Sequence, residues 1–390
     1  MRSLLRALAC ATLSAASLAS AATLTVVKAF DSSTCSLPMA SMLLTADGSL
    51  YGTCLGSGTG RGGILFRLDT TGQFSVLHQF SYNDSTDASE PIGGLLQGQD
   101  GLLWGSSQGG GGSDNHGTVY RIGTDGSGFT LVKVFSAEDG TFPSALIQDA
   151  QGKVYGTTNQ GGGRRIKGTV FSVSPSGDFT RLLGVRAALD VTWPAGGLTW
   201  GPDGFLYGLG SSGYSTRTTG SAGSLYRIRP DGTGFQRMVS FQTPSQGYGP
   251  MGELLLASDG WLYGVTYQGG QHGQGTVFRW NPSDGSFALV HEFAGGPGEG
   301  ANPSGGLVQG ADGALYGVTA SGGSAGSGLV GTVYRLTLAG QYTLLHSFDT
   351  TSAAGYYPTD RLTPAPDGSL YGTTWHGPDG LPGTVFRVQP

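Results

Sequence analysis

The 390-residue chain holds 12% charged and 10% aromatic residues, a balance that excludes disorder by composition and allows a large buried core. Its formal charge of −5 becomes −7 once Arg2 and Arg6 are removed (−5 − 2), which argues against a nucleic-acid partner, since that calls for a basic face. With 72 glycines and self-similarity at a period of roughly 40 to 50 residues, the chain reads as a repeat architecture rather than as two or three separate domains.

The first elements concern targeting. Arg2 and Arg6 form a basic start, Leu4 to Leu18 are mostly apolar or small, and Ala19-Ser20-Ala21 is a small-residue cleavage site. Residues 1–21 are therefore expected to be a signal peptide, and the mature chain to be periplasmic or extracellular. The apolar run is too short to span a bilayer, no later stretch could cross one, and no C-terminal anchor is recognisable. Cys35 and Cys54 remain after cleavage. An oxidising compartment permits a disulfide between them; two buried thiols are the alternative.

Thr23 to Phe30 (TLTVVKAF) reads as one strand, close in sequence to Phe129 to Phe135 (FTLVKVF). Seven copies of one block follow. Each opens on a proline: Pro38, Pro91, Pro143, Pro194, Pro250, Pro303 and Pro358. An Asp-Gly turn, an aromatic-Gly pair such as Tyr316-Gly317, a Gly-rich loop and a run such as Thr332-Val333-Tyr334 come next, then a last apolar run. Short runs bounded by turn residues make each block a four-strand antiparallel meander. The Asp-Gly pairs suit a type I′ turn.

The last block stops at Val388 without a fourth strand, and Thr23–Phe30 is expected to supply it. That arrangement closes a ring and removes both open edges. The expected fold is all-β: one seven-bladed β-propeller over 22–390, with blades starting near residues 38, 91, 143, 194, 250, 303 and 358.

Six blades carry an Asp at the first turn and an Arg after the third strand's aromatic: Asp47 and Arg67, Asp100 and Arg121, Asp203 and Arg227, Asp259 and Arg279, Asp312 and Arg335, Asp367 and Arg387. The other blade has Gln151 and Ser172 instead. The paired occurrence predicts an intrablade salt bridge in those six, with a structural role.

Asn302-Pro303, Asp312-Gly313, Leu315-Tyr316-Gly317-Val318-Thr319, Gly322-Gly323 and Gly331-Thr332-Val333-Tyr334 together resemble the GloVer tandem repeat. The resemblance covers nearly all of the mature chain. It implies repeat architecture and export from a bacterial cell, and it brings neither a reaction nor catalytic residues.

Candidate site residues are those that break the repeat. Small residues such as Gly93-Gly94, Gly196-Gly197 and Gly305-Gly306 line the expected channel, but Glu253 and Asp360-Arg361 stand at its mouth. Carboxylates beside an arginine could hold a polar ligand, perform acid–base work, or form a salt bridge across the mouth. The loops between strands two and three add His116, His272, His376, Trp375, Arg217 and the basic set Arg164, Arg165 and Lys167. Three histidines could be metal ligands, but their blades are spread round the ring, so solvated loop histidines are the plainer reading. No resident cofactor is called for; a structural divalent cation is compatible. The loops between blades mix Trp193, Phe142, Tyr356 and Tyr357 with Asp87, Glu90, Asp139 and Glu299, a combination that suits a glycan or simply packs the loops.

No Gly-rich run precedes a helix with Lys and Ser or Thr, and no Gly-x-Ser-x-Gly opens a helix, so phosphate-loop and nucleophile-elbow chemistry are excluded. The expected function is a monomeric binding scaffold for a glycan or a cell-envelope protein, acting through the loop-rich face. The alternative is a polysaccharide or lactone lyase using the channel mouth; the Asp-Gly-x-Leu-Trp/Tyr pattern faintly resembles the streptogramin lyase repeat.

Overall fold

The computed structural model describes residues 22–56, 62–82, 84–186, 193–211, 223–323, 328, 330–358 and 360–390. The expected signal segment, 1–21, and Arg217 lie outside them. The fold is all-β. Repeat 1 is the meander Leu43–Leu44, Leu50–Cys54, Ile64–Leu68 and Phe74–Gln79, and the following repeats copy it in chain order. In repeat 3 the first strand is split into Thr141–Pro143 and Ile147–Gln148, both paired with Val154–Gln160. The last sheet takes Thr363–Pro364, Leu370–Thr373 and Thr384–Gln389 from the end of the chain, and Thr23–Ala29 pairs antiparallel with Thr384–Gln389.

The recurring sequence features have packing reasons. The glycine after each second-strand aromatic makes room for the third strand's ring. A Cβ on Gly317 would stand 2.5 Å from Tyr334 Oη, and one on Gly52 would stand 2.6 Å from Phe66 Cζ. Those rings are almost wholly buried, each contributing about 1.5–3 kcal/mol by leaving water. The apolar core is divided among the gaps between consecutive sheets. One cluster joins Tyr51, Leu65 and Phe80 of repeat 1 to Leu103, Tyr120 and Ile122 of repeat 2. Another joins Val385 of repeat 7 and Phe30 to Met42, Leu50, Ile64 and Phe66 of repeat 1.

Second and third strands are tied by hydroxyl pairs, as in Thr319 with Thr332 (2.8 Å) and Thr374 with Thr384 (3.0 Å). In repeat 1 the corresponding position is Cys54, which forms a disulfide with Cys35 across a Cα–Cα distance of 5.7 Å.

Two expectations change. The Asp-Gly turns are not type I′: Gly48, Gly313 and Gly368 have φ of 81°, 78° and 82°, but the aspartates before them do not enter the left-handed region. The carboxylate accepts the N–H two residues on (Ser49 to Asp47, 3.0 Å; Ala314 to Asp312, 3.1 Å), which holds the Asp right-handed and leaves the left-handed step to Gly. With Gly48 N–H bonded to Thr45 O, this is the three-residue hairpin loop with a glycine bulge.

The Asp–Arg bridge forms in four of the six expected repeats: Asp47–Arg67 (3.5 Å), Asp203–Arg227 (2.9 Å), Asp312–Arg335 (2.7 Å) and Asp367–Arg387 (2.5 Å). Tryptophans divert the other two. Asp100 accepts the Trp104 indole N–H at 3.2 Å, and Arg121 lies over the Trp104 ring. Arg279 lies over Trp261 at 4.4 Å while Asp259 accepts from Tyr263.

Candidate functional site

The first strands approach one another at their glycines. The bulge Gly252-Glu253-Leu254 faces the single Gly264 of its neighbour strand, and Gly305-Gly306-Leu307 does the same in repeat 6. Backbones pack so closely that a Cβ on Gly196 would stand 2.2 Å from Gly252 O. One on Gly252 would meet Gly306 N at 2.5 Å, and one on Gly305 would meet Asp360 C at 2.4 Å. Glu253 and Gly306 pair as parallel strand neighbours, which joins the sheets of repeats 5 and 6.

Three charged side chains interrupt this belt. Glu253 of repeat 5 and Arg361 of repeat 7 meet past the glycines of repeat 6, with Oε2 to Nη1 at 2.8 Å. Glu253 is 16% exposed and Arg361 39%, so the pair is shielded mainly on the carboxylate side. Asp360 Oδ1 accepts the Arg361 N–H at 2.7 Å. Loss of hydration pushes its carboxyl up to about 7; the Glu253 charge adds to this, while the N–H bonds from Arg361 and Ser41 and the Arg361 charge oppose it. Asp360 keeps some accessible surface, but its carboxyl group is enclosed.

Glu253 stands mid-strand, in Tyr248–Leu256, and Asp360 and Arg361 stand just before the short strand Thr363–Pro364. From Arg361 a cavity of about 410 Å³ runs toward the Asp-Gly turns. Met42, Leu44, Leu95, Val308, Leu362 and Pro366 line it, from repeats 1, 2, 6 and 7. Its size is that of a small-molecule pocket.

The other candidates are dispersed. His272 is exposed. His376 lies against Tyr356 at 5.0 Å, and Trp375 meets Tyr357 edge-on at 4.9 Å. His116 is half-buried and its carbonyl accepts from Phe142 N–H. Among the described residues no three His, Cys, Asp or Glu gather to hold a metal.

Three of the inter-repeat acids are occupied. Asp87 bonds His78 (2.9 Å) and Ser81 N–H, Asp139 bonds Lys133 (2.8 Å) and Ser136 N–H, and Glu299 bonds His291 (2.5 Å) and Ala294 N–H. His78 also stacks on Phe129 of the next repeat at 4.2 Å. These carboxylates fasten the loops to outer-strand imidazole and ammonium groups, a pairing that the positions His78, Lys133 and His291 could have disclosed in the sequence.

One feature of the loop face has no sequence signature. The residue before each opening proline is left-handed in all seven repeats: Leu37, Glu90, Phe142, Trp193, Gly249, Asn302 and Tyr357, with φ between 43° and 64°. Bulky side chains rarely adopt this conformation, and a following proline restricts it further. Hydrogen bonds hold it. The N–H groups of Glu90, Phe142, Trp193, Asn302 and Tyr357 bond carbonyls of the preceding repeat's loop: Gly62, His116, Lys167, Gln274 and Val330. The prolines are buried and the side chains before them half-buried. One backbone geometry thus carries seven different residues, six of them with side chains.

Among solved structures, an oligogalacturonate lyase from Vibrio parahaemolyticus aligns over 94% of this chain and 93% of its own, with 12% identity and a TM-score of 0.61. A putative gluconolactonase (13% identity, 94% and 92% covered, TM-score 0.46) and a luciferin-regenerating enzyme (15%, 76% and 91%, 0.47) are also similar. No curated protein matches. The likeness to the lyase shows a β-propeller-like fold and nothing of its chemistry. No helix among the described residues is long and apolar enough to cross a membrane. The model of the Gloeobacter/Verrucomicrobia repeat matches residues 37–220 and again 214–390, so the chain belongs to that family.

Proposed function

We propose that the chain is an exported, closed seven-bladed β-propeller that serves as a binding scaffold, with a glycan or a cell-envelope protein held on its loop-rich face. The closure is supported by the pairing of Thr23–Ala29 with the last strand, the core cluster between repeats 7 and 1, and the Thr363 hydroxyl bond to Met42 O. The observation that carries the binding reading is the left-handed residue before each proline. Its backbone is fixed in every repeat, yet its side chain is different in each, which is how a rigid scaffold displays recognition groups. Glu253, Asp360 and Arg361 are a second polar contact point on the axis.

The test is a glycan-array screen of the purified chain, repeated with Trp193→Ala, Tyr357→Ala and Arg361→Ala. A hit lost in the first two variants at unchanged melting temperature places the ligand on the loop face. Loss in Arg361→Ala alone moves it to the axis, and a chain that binds no glycan and captures no envelope protein sinks the scaffold reading.

One observation favours the lyase alternative: a shielded carboxyl titrating near neutrality beside an arginine is the setting of an acid–base group. Its test is the appearance of unsaturated sugar ends on incubation with polyuronates, abolished in Asp360→Asn.

A further inference from the structure

We infer that the junction of repeats 3 and 4, where the basic loop of repeat 3 meets Trp193, binds an acidic polysaccharide. This rests on the scaffold reading and names the ligand class and the place.

The loop between the second and third strands of repeat 3 reads GGGRRIKG, with Arg164, Arg165 and Lys167; in the other six repeats that loop holds one Lys or Arg or none. The structure adds two more cations. Arg181 Nη1 reaches Gly162 O at 2.9 Å, and Arg186 follows Val185, whose carbonyl accepts Lys167 N–H at 2.8 Å. Five cations therefore share one loop cluster, all of them exposed. Among the described residues none has a carboxylate within ion-pair distance, whereas Arg67, Lys133, Arg227, Arg335, Arg361 and Arg387 all do. Among the described residues Glu138 is the nearby counter-charge: its Oε2 would lie 2.6 Å from a Cβ on Gly163. The patch stays net positive on a chain of charge −5.

Trp193 completes the surface. Its N–H bonds Lys167 O at 3.1 Å, and Lys167 Nζ lies 5.9 Å from its ring. An indole with the Lys167 ammonium over its ring, next to a loop that also carries Arg164 and Arg165, joins an apolar ring to anion partners, which suits a sugar ring carrying a carboxylate or sulfate. Two other polyanions fit less well. Duplex DNA carries about one charge per 1.7 Å and would extend beyond five cations on a chain of net charge −5. An anionic membrane is engaged by basic residues with a protruding apolar anchor; Trp193 is half-buried, and among the described residues the exposed large apolar side chains (Val26, Val76, Tyr82, Val134 and Leu381) lie outside this loop.

The experiment titrates the whole chain, at low and physiological salt, with alginate, dextran sulfate, neutral dextran, phosphatidylglycerol vesicles and duplex DNA. The expected result is binding to alginate, dextran sulfate or both, and none to neutral dextran. Affinity should fall with salt and drop about tenfold or more in the Arg164→Ser/Arg165→Ser/Lys167→Ser variant at unchanged melting temperature. Whether alginate or dextran sulfate binds more tightly tells carboxylate from sulfate. Failure of both acidic polysaccharides to bind, wild-type affinity in the triple variant, or equal binding of vesicles or DNA would overturn the assignment. A glycan-array hit that Tyr357→Ala removes and the triple variant leaves intact would overturn it while preserving the scaffold.

Discussion

Asp360→Asn should make the protein less sensitive to alkaline pH, an unusual sign for removal of a carboxylate. The unfolded Asp360 side chain titrates at its ordinary 3.8 and the folded one at about 7. Between those values the folded state holds a proton that the unfolded state has released, so stability falls as pH rises. Over the full interval the loss is on the order of 4 kcal/mol at 1.36 kcal/mol per pH unit, an upper figure because water reaches part of the residue. From about pH 5 to about pH 8 the wild type should therefore lose roughly 1–3 kcal/mol relative to Asp360→Asn. The amide keeps an oxygen to accept the Arg361 N–H, and the Glu253–Arg361 pair is left in place. Urea unfolding of both proteins across that range measures the difference and cancels every other titrating group. Parallel stability curves would refute the argument, since they would mean that Asp360 stays ionised in the fold.

Two further perturbations test the packing. Reduction, or Cys35→Ser with Cys54→Ser, reopens a link spanning 19 residues and should cost about 3 kcal/mol, read as a drop in melting temperature; an unchanged melting point would mean that the repeat 1 core holds Cys35 in place without the bond. Gly317→Ala drives a methyl group into Tyr334 and Leu307 and should cost about 1–3 kcal/mol in chemical denaturation, whereas Gly298→Ala, in open space, should be close to neutral; equal effects would show that the second strand can shift to accept a side chain.

What the sequence disclosed is what repeats seven times. The aromatic-Gly pair marks a contact that only glycine tolerates, so its register survives in the letters, and TLTVVKAF resembles a fourth strand closely enough to be assigned to the last sheet. The Asp–Arg pairing was half legible. It depends on whether a tryptophan lies between the partners, and Trp104 and Trp261 were visible but their ring positions were not. Glu253 and Arg361 stood out as departures from small residues, yet their meeting past Gly306 depends on bulges that no residue type announces. The loop carboxylates misled for the opposite reason: Asp87, Asp139 and Glu299 look free in sequence and are consumed by backbone N–H groups and by His78, Lys133 and His291 of the outer strands.

The left-handed positions before the prolines are the support for proposing the loop face as the place of binding. Each bulky residue held there costs about 1–3 kcal/mol, and six of the seven are not glycine, so the sum rivals the whole stability of an ordinary domain. Glycine would remove most of that cost, and it occurs once, at Gly249. The backbone bonds to the preceding repeat account for the conformation, because they need only an N–H in that orientation. They do not account for a tryptophan, a phenylalanine, a glutamate and a tyrosine where the fold would accept glycine. Those side chains are half-buried along the rim, between the loop of one repeat and the strand of the next. Part of that identity goes into packing, as where Tyr357 meets Trp375 and Lys167 lies over Trp193, and the rim position that combines the largest ring with a basic loop is Trp193.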